Sequence, residues 1–347
     1  MRHTHERILI LGGGYAGSLA AARIARRGVP VTLVDANVGL VERIRLHQVL
    51  AGDEIVPVPF AKLFRKLPVD VVRTRVEGLD RARKRVVTTD GFLDYDRLIY
   101  ALGSTNDIVD PRKVRAAKKV AIVGAGLTGI ETAAELAERH PRLELTLIDS
   151  GRLGAQLSDR AASYLREWLV SRGVAIVEQT RVETADADVL LWCNAFRVSG
   201  IARDAGLHVN ARGQIVVDEQ LRSSDPSIYA VGDAAAFRDV RMGCVSAMPM
   251  GAYAADAITG HAKEPFRFAF GIKCISLGRT AGIIQMLHAD DSPKDSFIGG
   301  RPAAWIKELI CRFTVAAIKL EAKGIPYQWP KPNSSSIADC SSPSRIA

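Results

Sequence analysis

Two stretches of the chain space their glycines as a main-chain turn around a phosphate group requires. The first follows the apolar segment ILIL, the second follows AIV, and each has the pattern GxGxxG. The first glycine of such a pattern permits a tight turn, the second lets the main chain approach a pyrophosphate, and the third lets a helix pack on a strand. The sequence therefore predicts two dinucleotide sites, formed by Gly12, Gly14 and Gly17 and by Gly124, Gly126 and Gly129.

An aspartate ends the apolar segment that follows each glycine pattern. Asp35 closes VTLVD and Asp149 closes LTLID, where a carboxylate can accept hydrogen bonds from both hydroxyls of an adenosine ribose. At Asp149 a free ribose diol is favoured over a 2′-phosphate, although Arg152 stands three residues further on and could partly reverse that preference. We therefore expect the second site to prefer NADH to NADPH.

Both patterns lie in the same order of predicted elements: strand, glycine turn, alanine-rich helix and strand. Such βαβ units are typical of Rossmann-like folds, so we predict an α/β protein with two dinucleotide-binding domains and a small α+β C-terminal domain. The segments VDVVRTRVEGLDRARKRVVTTDG and FLDYDRLIYALGS between the units predict an antiparallel meander. The predicted parts are a first dinucleotide domain in 1–112 that resumes in 229–265, a trimmed nicotinamide domain in 113–228, a C-terminal interface domain in 266–330 and a mobile tail in 331–347.

The composition argues against several other classes of protein. The 347 residues carry a net charge of +9 but no low-complexity basic arm and no nucleic-acid motif, so we expect no nucleic-acid partner. The five cysteines show no CxxC spacing, and we therefore expect neither a metal site nor a local redox disulfide. The N-terminus lacks the features of a signal peptide, and no apolar run is long enough to span a bilayer, which together predict a cytoplasmic location.

Two nucleotide sites without a metal or nucleophile constellation predict that one site keeps a redox cofactor while the other exchanges a hydride donor. We expect the resident cofactor to be FAD. The motifs LILGGGYAG, YALGS, VGAGLTGIETAAEL, IYAVGDAA and GIKCISLGR resemble those of the two-domain flavoproteins in the pyridine nucleotide-disulfide oxidoreductase superfamily. Within it the chain is similar to type II NADH:quinone dehydrogenases and to ferroptosis-suppressor and apoptosis-inducing-factor relatives.

The resemblance implies FAD contacts outside the glycine pattern. Asp233 would bind the ribityl and phosphate region, and Val76 would bind the adenine through its main chain. Pro249, at the start of a predicted helix MPMGAYAADAITG, would approach the pyrimidine edge of the flavin, where a helix N-terminus stabilises negative charge. The residues with an implied FAD contact are Ala16, Arg45, Val76, Gly103, Asp233 and Pro249.

Two residues are candidates for acid-base chemistry. His47 lies in VERIRLHQVLAG, a predicted helix that faces the flavin in similar folds, and it could protonate a reduced acceptor. The alternative is a histidine on a helix surface. Glu131 lies in the first turns of the second predicted helix, where it either complements the helix dipole or approaches the nicotinamide. Disulfide reductases of the superfamily carry a cysteine pair where VERIRLHQVLAG has none, so we do not expect dithiol chemistry.

The sequence departs from the type II dehydrogenases at three places. Residues 244–250 read CVSAMPM, without the glutamines of the AQxASQ stretch that relatives place near the quinone pocket. The connections from YALGS to the second unit and from GVAIVE to DVLLWC are short, which indicates a trimmed nicotinamide domain. Ala195 stands where relatives have a glycine, and an added side chain near a ligand could weaken NADH binding.

The C-terminal region predicts a basic amphipathic helix from Pro302 to Leu320. Its apolar residues recur near helical spacing, with basic residues between them. Such a helix could rest on the inner face of a membrane, or it could close over the flavin or face a second copy of the chain. The apolar positions are Trp305, Ile306, Leu309, Ile310, Phe313, Ala316, Ala317 and Leu320, and the basic ones Lys307, Arg312 and Lys319.

The predicted function is that of an FAD-dependent NAD(P)H oxidoreductase. Hydride would pass from the nicotinamide dinucleotide to the flavin, and electrons would then pass to a quinone or another small acceptor. Two alternatives stay open. One is an enzyme similar to ferredoxin or rubredoxin reductases, for which the basic charge would suit an acidic protein partner. The other is a trimmed flavoprotein that acts as a scaffold or redox sensor without catalysis.

Overall fold

The computed structural model describes residues 6–105, 109–194 and 196–332, so Ala195 and residues 333–347 of the predicted tail lie outside the described residues. In this part of the chain the helices are α1 (Tyr15–Ala25), α2 (Leu46–Leu50), α3 (Phe60–Leu63), α4 (Pro111–Ala116), α5 (Leu127–Arg139), α6 (Asp159–Ser171), α7 (Ile201–Asp204), α8 (Cys244–Ile258) and α9 (Gly300–Ala322).

The strands of the same residues form two parallel sheets, two antiparallel three-stranded sheets and three short pairs. In chain order they are β1 (Ile8–Leu11), β2 (Val31–Asp35), β3 (Gly39–Leu40), β4 (Val58–Pro59), β5 (Val69–Arg73), β6 (Val76–Asp80), β7 (Arg85–Thr88), β8 (Gly91–Asp94), β9 (Arg97–Tyr100), β10 (Ser104–Thr105), β11 (Lys119–Val123), β12 (Glu144–Ile148), β13 (Ala175–Val177), β14 (Val189–Trp192), β15 (Arg197–Val198), β16 (Ile215–Val216), β17 (Ile228–Ala230), β18 (Ala235–Ala236), β19 (Ile272–Leu277), β20 (Ala281–Leu287) and β21 (Pro293–Gly299).

The first parallel sheet has the order β17-β9-β1-β2-β5 and carries the first glycine turn. Strand β1 pairs with β2 and β9 in parallel, and all four of its residues are buried, which explains their uniformly apolar sequence. The predicted meander is confirmed for β6, β7 and β8, which pair antiparallel. Strands β5 and β9 were wrongly included in that meander. Strand β5 pairs in parallel with β2 at the sheet edge, and β9 pairs in parallel with β1 and β17 within the sheet.

The second parallel sheet has the order β13-β12-β11-β14 and carries the second glycine turn. The C-terminal part adds the antiparallel sheet β19-β20-β21, which packs against α9. Two parallel sheets, each built on a βαβ unit, together with this smaller α+β part confirm the predicted α/β class. Among the described helices, none combines the length and apolar composition needed to cross a membrane.

Helix α1 is rich in alanine because it is enclosed on all sides. Every residue from Tyr15 to Ala25 is buried, and α1 packs closely on α8. A Cβ at Gly251 of α8 would lie 2.2 Å from the main-chain oxygen of Ala16. Small residues at this crossing therefore let the main chains of the two helices come into direct contact.

Two predicted helices begin or extend differently in the structure. Helix α8 begins at Cys244, five residues before Pro249, so Pro249 lies inside the helix and was wrongly placed at its start. VERIRLHQVLAG is not one helix: a 3₁₀ turn spans Arg43–Arg45, and α2 has only five residues. This short α2 nevertheless brings His47 into the protein interior.

The apolar residues form two cores, one around each parallel sheet. Ala202, Leu207, Ile215 and Leu221 belong to the core of the first sheet. The return to that core therefore precedes residue 202, whereas the sequence placed it at residue 229. The assignment of domains to these segments stays a prediction.

A buried carboxylate fixes the end of α9 to the first unit. Glu321 has no exposed surface and forms ion pairs with Arg23 and Arg26 of α1. The Glu321 oxygen that pairs with Arg23 also accepts a 2.6 Å hydrogen bond from the main-chain nitrogen of Tyr327. Because a buried charge is costly without partners, these contacts fix where α9 ends on the molecule.

Candidate functional site

The first glycine turn has the geometry that a bound pyrophosphate requires. Gly12 follows β1 with φ +97°, a conformation that L side chains rarely adopt. A Cβ at Gly17 would lie 1.9 Å from the main-chain oxygen of Gly12, so the helix meets the turn at a distance only glycine permits. Gly14, the N-cap of α1, has open space at its Cβ position, which leaves room for a ligand beside the helix N-terminus.

Asp35 is held at the end of β2 beside this turn. One carboxylate oxygen accepts a 2.6 Å hydrogen bond from the main-chain nitrogen of Gly13. The other accepts hydrogen bonds from the main chain and side-chain amide of Asn37, at 2.7 and 3.0 Å. These bonds orient the carboxylate next to the turn, where a ribose bound with the pyrophosphate would lie.

The second turn repeats the first in detail. Gly124 has φ +104°, and a Cβ at Gly129 would lie 1.8 Å from the oxygen of Gly124. Asp149 accepts hydrogen bonds from the main-chain nitrogen of Ala125 and, at 2.7 Å, from that of Gly151. Gly126 is the N-cap of α5 and its Cβ position is open. Both turns thus fit a dinucleotide, and the resemblance assigns FAD to the first and the nicotinamide dinucleotide to the second.

Asp233 lies in a 3₁₀ turn after β17 and joins two other segments of the first unit. Its carboxylate accepts a 2.7 Å hydrogen bond from the hydroxyl of Ser104 and a 2.9 Å bond from the main-chain nitrogen of Gly243. Gly103, with φ +68°, directly precedes Ser104. The structure therefore brings Asp233, Gly103 and the start of α8 close together. One ligand could contact all three of them.

Three other residues with an implied FAD contact lie in a strand of the meander and in two helices. Val76 begins β6 and pairs with Thr88. Ala16 is buried in the crossing of α1 and α8, and Pro249 is buried within α8. Their contacts with FAD stay predictions.

Arg45, for which the resemblance implies an FAD contact, is already bound by protein carboxylates. It forms two hydrogen bonds with Glu308 of α9, at 2.8 and 3.0 Å, and a third with Glu42 at 3.2 Å. The hydrogen bond with Glu308 raises the pKa of Arg45. In this arrangement the guanidinium links the segment before α2 to α9, and its FAD contact stays a prediction.

His47 and Glu131, which the sequence proposed separately, lie in one buried cluster. His47 Nδ1 is 3.7 Å from a carboxylate oxygen of Glu131. The other oxygen of Glu131 accepts a 2.9 Å hydrogen bond from the main chain of Ser276 and forms a 2.9 Å ion pair with Lys307. His47 is only 5% exposed, so the interpretation of a surface histidine is wrong.

The burial and charges of this cluster set its protonation. Burial lowers the pKa of His47, and Glu131 opposes that effect only in part. Burial alone would raise the pKa of Glu131, but Lys307, His47 and the amide of Ser276 outweigh it and leave that pKa lowered. Burial likewise disfavours the charged form of Lys307, yet the charge of Glu131 and its hydrogen bond help to raise the pKa of Lys307 overall. The cluster therefore holds an ionised Glu131, a charged Lys307 and a neutral imidazole.

Sequence reasoning missed the partners of Glu131. Lys307 was interpreted as one of the basic residues on an amphipathic helix, and Ser276 was noted only within GIKCISLGR. Helix α5 also presents Glu135 and Glu138 to the same C-terminal segment, through Arg279. The spacing of these acids, at i, i+4 and i+7 on one helix face, is the signal that could have indicated a docking face.

The comparisons with known proteins agree with this geometry. The family described as "Pyridine nucleotide-disulphide oxidoreductase" matches residues 6–255. The chain belongs to this family. Its two turns and family membership make the protein an FAD-dependent oxidoreductase that takes electrons from a nicotinamide dinucleotide.

Individual relatives of this pyridine nucleotide oxidoreductase have low sequence identity, but they align with most of the chain. "Ferroptosis suppressor protein 1" of Xenopus tropicalis is 22% identical, over 80% of this chain and 88% of the relative. A "Type II NADH:quinone oxidoreductase" of Staphylococcus epidermidis is 25% identical, over 94% of this chain and 99% of the relative. The solved sulfide:quinone oxidoreductase of Aquifex aeolicus has a TM-score of 0.76 at 14% identity, covering 91% of this chain and 92% of that one, and shows a shared fold.

Proposed function

We propose that the protein oxidises NADH and passes the electrons through FAD to a lipid-soluble quinone at the inner face of a membrane. When bound, FAD accepts two electrons from the nicotinamide and releases them to the acceptor. The proposal depends mainly on one observation, which is that both dinucleotide units contribute to one buried cluster. His47 comes from the first unit, while Glu131 lies one turn into the helix that the second glycine turn opens.

The surroundings of Asp149 support NADH over NADPH. Its carboxylate is oriented by Ala125 and Gly151, as Asp35 is oriented in the first unit. Arg152 is directed to Asp159, at 3.6 Å, and its side chain is 67% exposed. A 2′-phosphate at this position would lie beside the carboxylate of Asp149, while the guanidinium of Arg152 is directed to Asp159 and not to the phosphate. Repulsion between the two anions therefore disfavours NADPH.

The outer face of α9 supports a membrane surface and a lipid-soluble acceptor. Trp305, Leu309 and Phe313 follow one another at intervals of four residues and are 69%, 52% and 55% exposed. Exposed basic residues flank them, Arg301 at one end and Lys319 at the other. An apolar stripe between cations suits the interface of an anionic bilayer. We call Trp305, Leu309 and Phe313 the α9 stripe.

Names of relatives support the same acceptor. The Staphylococcus epidermidis relative is a type II NADH:quinone oxidoreductase by name and matches nearly the whole chain. Residues 244–250 lack the glutamines expected from that group. In our proposal the acceptor site therefore uses other polar groups, namely those of the buried cluster.

A stopped-flow experiment tests the proposal. FAD-loaded protein is mixed anaerobically with NADH or NADPH, and the reduced protein is then mixed with a long-chain quinone in liposomes, a water-soluble quinone, oxygen or a small ferredoxin. We expect faster reduction by NADH and fastest reoxidation by quinone. Reoxidation fastest by ferredoxin would favour a ferredoxin reductase, and absence of reduction by either nucleotide would favour a non-catalytic flavoprotein.

A further inference from the structure

The imidazole of His47 has one nitrogen that the protein leaves unused. Its Nε2 is buried and has no hydrogen-bond partner among the described residues. Its Nδ1 lies 3.7 Å from Glu131, slightly beyond hydrogen-bond distance. Buried polar groups usually have partners, so an unpartnered nitrogen on a residue that is only 5% exposed indicates an interaction with something outside the protein chain.

Among the residues that the structure describes, none donates a hydrogen bond to the Glu131 oxygen that faces His47. The bonds from Lys307 and Ser276 both reach the opposite oxygen. A proton on His47 would therefore find an acceptor already in place at Nδ1, and a small approach of the ring would convert the 3.7 Å contact into a charged hydrogen bond. Nε2 would still point away from that bond.

Burial, more than the charges around His47, keeps this proton absent in the state described. The groups that act on it are Glu131 from α5, Lys307 from α9, Arg279 from the turn after β19 and Arg45 from its own segment. Lys307 offsets Glu131, and the two arginines have their own acids: Arg45 pairs with Glu308, and Arg279 with Glu135. The surroundings are close to neutral, so a further positive charge needs a new negative charge nearby.

We propose that His47 binds a proton when electrons reach the site and delivers it through Nε2 to an oxygen of the acceptor. The inference rests on the proposed function. NADH supplies two electrons and one proton, while reduction of a quinone to a quinol needs two of each, so one proton must come from solvent. The Nε2–H bond of the imidazolium breaks as the O–H bond forms, and the imidazole returns to its neutral form.

A potential measurement tests this without turnover. The midpoint potential of the FAD-loaded protein is measured between pH 6 and 8.5 with a chemical reductant, in the wild type, in His47→Gln and in the matched control His208→Gln, whose side chain is exposed. Each proton bound with two electrons adds about 30 mV per pH unit to the slope, because a tenfold change corresponds to about 30 mV. We expect His47→Gln to lose that increment and His208→Gln to keep it.

A second measurement covers the case in which His47→Gln does not retain FAD. Wild-type protein labelled at its histidines is observed by NMR before and after chemical reduction, and one buried histidine signal should move from the neutral to the imidazolium position. Equal slopes in wild type and His47→Gln, or no histidine signal that moves, would overturn the inference. Failure of NADH to reduce the flavin would instead reject the proposed function, since neither measurement uses NADH.

Discussion

Trp305 and Lys307 lie two residues apart in α9 and point to opposite sides of the helix. The Trp305 side chain projects into solvent, while the Lys307 ammonium reaches Glu131 in the interior at 2.9 Å. An interval of two residues corresponds to about 200° around a helix. The same helix turn therefore contributes to the buried cluster on one side and to the exposed α9 stripe on the other.

The α9 stripe can be tested by replacing Trp305 and Phe313 with Ser. Each side chain contributes about 1.5–3 kcal/mol if it is buried in the lipid interface, so liposome binding should weaken about a hundredfold or more, measured by co-sedimentation. KM for long-chain quinone should rise while reduction of FAD by NADH stays intact. Phe92→Ser, which removes another exposed aromatic ring, is the control. Unchanged liposome binding would reject the membrane role, and loss of flavin would show that the stripe supports the fold.

Gly17 and Gly129 provide a matched pair that separates the two sites. A methyl group at either position would meet the main-chain oxygen of its own turn at less than 2 Å, so the turn must open and its ligand must bind more weakly. Gly129→Ala should keep its FAD, read from flavin absorbance, and lose at least about tenfold in NADH affinity. Gly17→Ala should instead be isolated without FAD. Loss of FAD in Gly129→Ala would contradict the assignment of the two turns.

Asp149→Ala should weaken the preference for NADH. The variant removes a charged acceptor of ribose hydrogen bonds, each worth about 1.5–3 kcal/mol, together with the repulsion of a 2′-phosphate. We expect the ratio of kcat/KM for NADH over NADPH to fall about tenfold or more. Arg152→Ala is the matched control and should leave the ratio nearly unchanged, because Arg152 is directed to Asp159. An unaltered ratio in Asp149→Ala would refute the role of this carboxylate.

Burial of neutral His47 makes stability depend on pH in a defined direction. In the unfolded chain histidine binds a proton below about pH 6.5, whereas the lowered pKa of His47 delays protonation in the folded state. The unfolded state then holds more protons, so stability falls as pH decreases from about 6.5, by at most about 1.4 kcal/mol per pH unit. Urea unfolding of the oxidised FAD-loaded protein at pH 7.5, 6.5 and 5.5 should show less loss for His47→Gln than for the wild type. His208→Gln should follow the wild type, and a parallel loss in all three proteins would argue against the buried neutral imidazole.

Both glycine turns and their acids were predictable because they depend on local constraints. A positive φ at Gly12 and main-chain contact at Gly17 leave almost no other residue type, so six consecutive positions determine the conformation of the turn. The parallel pairing of β5 was missed because apolar alternation is the same in a meander and at a sheet edge. The start of α8 was missed because proline is frequent in the first turn of helices, which suggested Pro249 as the beginning.

The partners in the buried cluster could not be predicted from local sequence. Glu131 and Lys307 have ordinary positions within their own helices, and only the packing of both α5 and α9 on β19 brings them together. The same holds for Glu321, whose ion pairs with Arg23 and Arg26 join helices that lie far apart in the sequence. The spacing of charged residues on an amphipathic helix does not show which of them are exposed to solvent and which form ion pairs with another part of the protein.

Contacts near both ends of α9 limit how far the protein can be divided into independent parts. Lys307 joins the helix to the second dinucleotide unit, and Glu321 joins it to the first. Both residues lie beyond residue 255, where the match to the family ends. A chain shortened to the family match would keep both glycine turns and could bind two nucleotides, yet it would lack the helix that fixes one unit against the other. We therefore expect each nucleotide to bind without the C-terminal segment, and electron exchange between the two sites to require it.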